Sequence, residues 1–133
     1  PRWGLIHGDI PSYGALSVQT TRGCPYDCSF CDVIYTYGRK VRRKSVDQVL
    51  AEVRALAHMD ARLVYFADDN FVGHRPFAKE VLRGLKRINA ELPSPLSFMT
   101  QADITIARDP ELLELLADAN FMEVQVGILH SRR

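Results

Sequence analysis

Short apolar runs alternate along this chain with amphipathic segments of helical periodicity. Four runs have the length and character of buried strands: 15–19, 63–67, 96–100 and 121–128. Between successive runs, apolar residues recur at the three- and four-residue spacing of a helix that packs on one face. This alternation is typical of a parallel sheet with right-handed helical crossovers. The pattern therefore predicts an α/β fold with about four strands and three helices.

Local residue chemistry indicates where the three helices begin. Ser45 and Gln48 have the spacing of a capping box at the start of a helix. Pro76 and Pro110 suit the first turn of the next two helices, where the missing proline N–H is not needed. Asp109 is expected to cap the helix that begins at Pro110.

Composition predicts one globular domain. The chain has 133 residues without an evident repeat, low-complexity tract or linker. We expect an irregular lead-in over residues 1–14, the core over residues 15–128 and a tail over residues 129–133. Lys plus Arg number 17 and Asp plus Glu number 16, a net charge of +1 that disfavours a nucleic-acid or membrane-surface protein. No apolar run approaches the ~20 residues of a membrane span.

All three cysteines of the chain lie within eight residues, at positions 24, 28 and 31. They follow the first predicted strand, at the edge of a parallel sheet where ligands bind. An odd number without a signal sequence disfavours a disulfide scaffold and predicts a reducing, cytoplasmic compartment. Structural zinc sites and ordinary iron–sulfur clusters use four protein ligands, so three thiolates leave one position open, as in catalytic centres. The alternative is a zinc site completed by His7 or His74.

The residues around these cysteines resemble the signature of the radical S-adenosylmethionine (SAM) enzymes. Segment 21–31 reads Thr-Arg-Gly-Cys-Pro-Tyr-Asp-Cys-Ser-Phe-Cys, with the cysteine spacing of that family. The resemblance implies a partial (β/α) barrel in which Cys24, Cys28 and Cys31 hold a [4Fe–4S] cluster and SAM binds the fourth iron. It implies an enzyme that reductively cleaves SAM to methionine and a 5′-deoxyadenosyl radical. Phe30 is expected to pack near the SAM adenine.

Further residues resemble the cobalamin-binding subgroup of that family. Asp68, Asp69, Asn70 and Phe71 follow the second predicted strand, and Gln101 lies at the end of the third. The resemblance implies that Asp68, Asp69 and Asn70 hold the methionyl end of SAM, where a carboxylate accepts a charge-assisted hydrogen bond from its ammonium group. Gln101 is expected to reach the SAM carboxylate or ribose. A longer parent protein is expected to bind cobalamin and to act as a methyltransferase-like enzyme.

The sequence also departs from that family's pattern. Gly127 and Ile128 are followed by Leu129, where the family usually has Glu, and the chain begins without Met. Four predicted strands are fewer than the six or so β/α units of a complete core. The sequence therefore predicts the front part of a radical SAM core, with a tail over 129–133 that is unrelated to the family. Two alternatives stay open: a non-catalytic iron–sulfur or electron-transfer module, and an inactive truncated remnant.

A run of positive charge follows the cysteine segment. Its five basic residues are Arg39, Lys40, Arg42, Arg43 and Lys44. We interpret them as a solvent-exposed loop, with two alternatives: a clamp for an anionic substrate, or a docking face for an acidic electron donor such as flavodoxin or ferredoxin. Nucleic acid is not an expected partner, because the rest of the chain has no matching positive excess. The sequence does not specify the small-molecule substrate.

Overall fold

The computed structural model describes residues 2–127. In chain order, its strands and α-helices are β1 (Leu16–Val18), β2 (Thr21–Arg22), α1 (Val33–Tyr37), β3 (Arg42–Arg43), α2 (Val46–Ala57), β4 (Leu63–Phe66), α3 (Arg75–Glu91), β5 (Ser97–Ala102), α4 (Pro110–Asp118) and β6 (Phe121–Val126). The central sheet has the strand order β1-β4-β5-β6, and every neighbouring pair is parallel. The predicted α/β fold with four parallel strands is confirmed.

Three helices cover one face of this sheet. Helix α2 packs against α3 and α3 against α4, so they lie side by side on the same face. Strand side chains that point towards them are buried, such as Val64 and Phe98, whereas alternate positions such as Tyr65 and Met99 are only half-buried. A parallel sheet with its helices on one face has the curvature of a partial (β/α) barrel.

The predicted helix starts are confirmed by their capping bonds. Ser45 Oγ accepts a hydrogen bond from the Gln48 N–H, and the Gln48 side chain accepts one from the Ser45 N–H. Asp109 accepts from the N–H of Leu112 at the start of α4. Helix α3 begins one residue before Pro76.

A cluster of phenylalanines joins the sheet to the loop after β4. The rings of Phe66, Phe71, Phe98 and Phe121 pack with neighbouring centroids 5.3–5.8 Å apart. Phe71 is 1% exposed, and its N–H donates to the Gln101 carbonyl at 3.0 Å. The loop that carries residues 68–70 is therefore fixed to the core and to the end of β5.

The structure adds elements that the sequence patterns did not predict. Trp3–Ser12 forms 3₁₀-helical turns with a break at Ile6, where an irregular lead-in was expected. Strands β2 and β3 pair as an antiparallel ribbon on either side of the cysteine segment. Two-residue strands are too short to show periodicity, so only tertiary pairing defines them. Ile128 and the predicted tail lie outside the described residues, and no helix within 2–127 is long and apolar enough to cross a membrane.

Candidate active site at the carboxyl end of the sheet

A cavity of about 480 Å³ opens at the carboxyl ends of β5 and β6. Its wall is formed by the cysteine segment, the loop after β4 and the ends of these two strands. The structure brings together seven of the eight residues that the sequence singled out, namely Cys24, Phe30, Cys28, Cys31, Asp69, Asn70 and Gln101. The edge of the sheet that parallel topology predicts for ligands is therefore where these side chains meet.

The three cysteines are free thiols on the cavity wall. Cys28 is exposed, and Cys24 and Cys31 are half-buried. Burial raises the pKa of Cys24 above its ordinary value, against hydrogen bonds from the Tyr26 backbone and the Asn70 side chain that lower it. Within residues 2–127, no three His, Cys, Asp or Glu side chains converge as ligands of a single metal ion. Thiolates that surround a cluster each bind a different iron, so they need not converge on one point.

Gly23 fixes the path of the chain into the cysteine segment. Its φ of +93° is a conformation that L side chains rarely adopt. A Cβ at this position would lie 2.8 Å from the Gly38 carbonyl oxygen. The Gly23 N–H donates to Asp69 Oδ2 at 2.9 Å. The approach of the chain to Cys24 therefore depends on a residue without a side chain.

Asp68 has a different place from the one predicted. Its side chain is 2% exposed and is absent from the cavity wall. Oδ1 accepts from the backbone N–H groups of Thr20 and Thr21 at 2.8 and 2.5 Å, and the two threonine hydroxyls also donate to the carboxylate. Burial raises the pKa of Asp68 against these hydrogen bonds, which lower it. Asp68 thus anchors the turn before the cysteine segment instead of facing a ligand.

Asn70 lines the cavity although it is only 4% exposed. Its Nδ2 donates to Asp103 Oδ2 at 2.9 Å. Its Oδ1 is buried and has no hydrogen-bond partner among the described residues. Buried acceptors are almost always paired, so an unpaired one on a cavity wall indicates a place for a donor from a ligand.

Gln101 and Phe30 complete the predicted set. Gln101 lies at the exposed end of β5, and its Nε2 donates to the Tyr65 hydroxyl at 2.5 Å. Phe30 is 59% exposed, so most of its ring is free to pack against a ligand. An exposed aromatic ring beside polar groups is a common feature of ligand pockets.

The cavity wall also contains residues that the sequence analysis did not select. Tyr26, Asp103 and Gln125 line it together with the predicted residues. Asp103 follows directly on the last residue of β5. The rule that strand ends carry function could have identified it, whereas Gln125 belongs to β6 and gave no such signal.

The alternative zinc ligands do not reach the cysteines. Neither His7 nor His74 lines the cavity. His74 lies at the start of α3, where its Nδ1 accepts from the Phe77 N–H and its Nε2 lies 2.7 Å from a guanidinium nitrogen of Arg43. The predicted basic run is mostly exposed: Arg39 pairs with Asp27, and Lys44 pairs with Glu52.

The family model described as the Radical SAM superfamily matches residues 18–133 of the chain. The chain belongs to the radical SAM superfamily. An uncharacterized methyltransferase from Synechocystis is 40% identical over 129 residues, which are 96% of this chain and 24% of that protein. The hopanoid C-2 methylase of Rhodopseudomonas palustris is 39% identical over 84% of this chain and 21% of its own length.

Solved structures agree with this assignment. The methyltransferase TsrM from Kitasatospora setae, with tryptophan and a SAM analogue bound, matches with a TM-score of 0.78 and 27% identity over 90% of this chain and 23% of its own. The cobalamin-dependent enzyme OxsB, with cobalamin and SAM bound, gives 0.70 and 27% over 92% of this chain and 20% of its own. This radical SAM chain therefore spans about a quarter or less of the length of these relatives.

The residues at the cavity fit the cofactors of the superfamily. Three thiols on one cavity wall, in a chain without a fourth cysteine, match in number and chemistry a [4Fe–4S] site that leaves one iron for another molecule. The unpaired Oδ1 of Asn70 offers an acceptor to a donor group, and Asp69 adds a carboxylate to the same wall.

Proposed function

We propose that this chain forms the cluster- and SAM-binding part of a radical SAM enzyme. The observation that carries the proposal is that Cys24, Cys28 and Cys31 line one cavity with Asp69 and Asn70 in a chain of this superfamily. When bound, the cluster and SAM supply the one-electron chemistry that cleaves SAM and yields a 5′-deoxyadenosyl radical. The protein contributes binding and orientation around that chemistry.

Each residue of the wall has a role in this proposal. The three cysteine thiolates ligate the cluster. The Asp69 carboxylate and the Asn70 carbonyl oxygen accept hydrogen bonds from the ammonium group of SAM. The exposed ring of Phe30 packs against the adenine, and Gln101 reaches the carboxylate or ribose from the end of β5. Asp68 does not contact SAM in this proposal. It holds the turn before the cysteine segment through its hydrogen bonds with Thr20 and Thr21.

The relatives suggest the activity of a longer protein that contains this chain. TsrM is described as a methyltransferase with cobalamin and a [4Fe–4S] cluster bound, and OxsB as a cobalamin-dependent radical enzyme. We propose a cobalamin-dependent methyl transfer to a small molecule, with an electron donor such as flavodoxin or ferredoxin. A reducing compartment such as the cytoplasm suits the three free cysteines.

Electron paramagnetic resonance (EPR) of the reconstituted protein tests the proposal. The protein is reconstituted with iron and sulfide without oxygen, reduced with dithionite and measured with and without SAM. We expect a reduced [4Fe–4S] signal whose shape changes when SAM is added, because SAM occupies the open iron. A signal whose shape does not change when SAM is added would indicate an iron–sulfur module without SAM chemistry. Folded protein without a cluster would overturn the assignment of the cysteines.

Two variants test whether the cysteines hold the cluster that gives the EPR signal. Cys28→Ala removes one proposed ligand and is expected to lose most of the bound iron. Ser29→Ala changes the adjacent exposed residue, which is not on the cavity wall, and is expected to keep both the cluster and its response to SAM. Equal iron contents in the two variants would contradict the ligand assignment.

A further inference from the structure

A hydrogen-bonded turn brings two of the three cysteines close together. The Cys31 N–H donates to the Cys28 carbonyl at 3.0 Å, which closes a turn over Ser29 and Phe30. The first and fourth Cα atoms of such a turn lie less than about 7 Å apart. Disulfides usually join residues whose Cα atoms are roughly 4.4–6.8 Å apart. The backbone between Cys28 and Cys31 therefore already has a shape that a disulfide can close.

Both thiols of this pair are accessible to a small oxidant. Cys28 is exposed, Cys31 is half-buried, and both line the open cavity at the end of the sheet. The two residues inside the turn, Ser29 and Phe30, are exposed as well. Thiol–disulfide exchange requires that the attacking thiolate reach the sulfur of the oxidant. The turn therefore presents its two sulfurs at the surface of the protein.

Cys24 is held at the other end of the cysteine segment. Its N–H donates to the Gly38 carbonyl at 3.4 Å, and Gly23 before it has the positive φ of +93°. Within residues 2–127, no backbone–backbone hydrogen bond closes a turn between Cys24 and Cys28. The folded chain therefore favours a bond from Cys28 to Cys31 over a bond from either of them to Cys24.

We propose that Cys28 and Cys31 form a reversible disulfide in the cluster-free protein, and that this disulfide blocks cluster binding until it is reduced. The disulfide itself follows from the turn and the accessible thiols. Its effect on the cluster rests on the proposed function, because it removes two of the three proposed ligands. A cysteine binds metal as the thiolate, and a sulfur in a disulfide is not one.

The oxidant is a small disulfide such as oxidised glutathione. The Cys28 thiolate attacks one of its sulfur atoms, forms a mixed disulfide and releases one glutathione thiolate. The Cys31 thiolate then attacks the Cys28 sulfur, closes the Cys28–Cys31 bond and releases the second glutathione. The two cysteines lose two electrons, which reduce one glutathione disulfide to two thiols, and the cysteine protons pass to the released thiolates. Dithiothreitol reverses the reaction by the same exchange.

Mass spectrometry of the cluster-free chain tests the pairing. The reduced protein is freed of metal with a chelator, incubated with oxidised glutathione without oxygen, and alkylated at its remaining thiols. We expect only Cys24 to be alkylated, with two glutathiones released per chain, whereas all three cysteines are alkylated before oxidation. A product joined mainly through Cys24, or a chain that keeps three free thiols, would overturn the inference.

Replacements by serine locate the bond. Cys24→Ser removes the cysteine outside the turn and is expected to form the disulfide as the wild type does. Cys31→Ser removes the second thiol of the pair and is expected to retain one glutathione on Cys28 as the mixed disulfide. Release of two glutathiones by both variants would contradict the pairing of Cys28 with Cys31.

Oxidation in concentrated urea separates the effect of the turn from closeness in the sequence. All three cysteines lie within eight residues, so in the unfolded chain each is near the other two. We expect bonds to Cys24 to form there in a share that the folded protein does not show. The same distribution of products in folded and unfolded protein would overturn the role of the turn.

Cluster-loaded protein tests the effect of the disulfide on cluster binding. After reconstitution and removal of excess iron and sulfide, the protein is incubated with oxidised glutathione, and we expect glutathione release to fall to the background level. Release as fast as from the cluster-free chain, with all iron retained, would overturn both the ligand assignment and the block. If the wild type binds a SAM-responsive cluster but its cluster-free form makes no Cys28–Cys31 disulfide, the inference fails alone.

Discussion

Asp68 and Asp69 are neighbours in the sequence but hold different parts of the site. Asp68 is buried and binds Thr20 and Thr21, whereas Asp69 lines the cavity and binds the Gly23 N–H. Successive residues after a strand point in different directions, so one side chain enters the protein while the next faces the ligand side. Both aspartates therefore hold the chain just before Cys24, Asp68 from the protein interior and Asp69 from the cavity wall.

Replacement of Asp68 by Asn is expected to destabilise the fold. The amide keeps the shape but removes the negative charge that accepts four hydrogen bonds from Thr20 and Thr21, and a neutral acceptor holds these donors more weakly. This weakening lowers the free energy of unfolding by about 1–3 kcal/mol. Urea denaturation of the apoprotein measures it. Asp69→Asn, which affects one hydrogen bond of a half-buried side chain, is the control, and an equal loss in both variants would contradict this reading of Asp68.

Replacement of Gly23 by Ala is expected to reduce the iron bound per chain. Gly23 and Gly38 both have positive φ, at +93° and +83°, so a side chain at either position adds strain of about 1–3 kcal/mol. Only at Gly23 does the new Cβ also meet backbone, the carbonyl oxygen of Gly38 at 2.8 Å. We therefore expect Gly23→Ala to displace Cys24 and bind less iron than Gly38→Ala in a colorimetric assay. Matching iron contents would show that the contact is relieved without moving the cysteines.

At the scale of elements, the short ribbon of β2 and β3 frames the cysteine segment. The two strands pair Thr21 with Arg43 and Arg22 with Arg42, so the ends of the segment are held together. Within residues 2–127, the ion pairs of the basic run involve only Arg39 and Lys44. The ribbon also places Arg22 opposite Arg42, an arrangement that charge repulsion disfavours.

The contact between α2 and α3 depends on a missing side chain. A Cβ on Gly84 of α3 would lie 2.5 and 2.7 Å from the two terminal methyl carbons of Leu50 on α2. Alanine favours a helix over glycine by about 1 kcal/mol, whereas overpacking typically destabilises by about 1–3 kcal/mol. We expect Gly84→Ala to lower the free energy of unfolding in urea denaturation.

A double variant identifies Leu50 as the cause. Leu50→Ala alone leaves a cavity and destabilises the protein. Combined with Gly84→Ala, it is expected to destabilise by less than the sum of the two single changes, because the new methyl group enters the vacated space. Strict additivity of the two free-energy changes would show that the methyl group is accommodated elsewhere.

At the scale of the whole molecule, β6 forms one edge of the four-stranded sheet in residues 2–127. Its side chains are exposed or half-buried, and Met122 is 66% exposed. Unpaired backbone groups and apolar side chains on an edge strand favour pairing with another chain. The cavity with the cysteines opens at the end of this same strand, so the edge and the site are adjacent.

We expect this chain to self-associate through β6 as its concentration rises. Met122→Lys places a charge on the edge strand, which should lower the apparent mass in sedimentation velocity at high concentration. Ala117→Lys adds the same charge on the exposed surface of α4 and serves as the control. An equal effect of both variants would attribute the change to net charge, and a wild type that is monomeric at all concentrations would contradict the prediction.

The sequence alone determined the class of fold and the family. The alternation of apolar runs and helical periodicity is local information, and so are the capping residues Ser45 and Asp109, which the structure confirms. The cysteine spacing is equally local, because three thiols within eight residues can reach one centre in any fold that exposes the loop. The superfamily match to residues 18–133 confirms what these motifs indicated.

Only the tertiary structure determined which side chains face the cavity. Asp68 and Asp69 look alike in sequence, and burial beside the two threonines separates their roles. Asp103 reaches Asn70 across 33 residues, because parallel strands bring the ends of β4 and β5 together. Hydrogen bonds between distant segments form only when the sheet is assembled, so no local pattern records them.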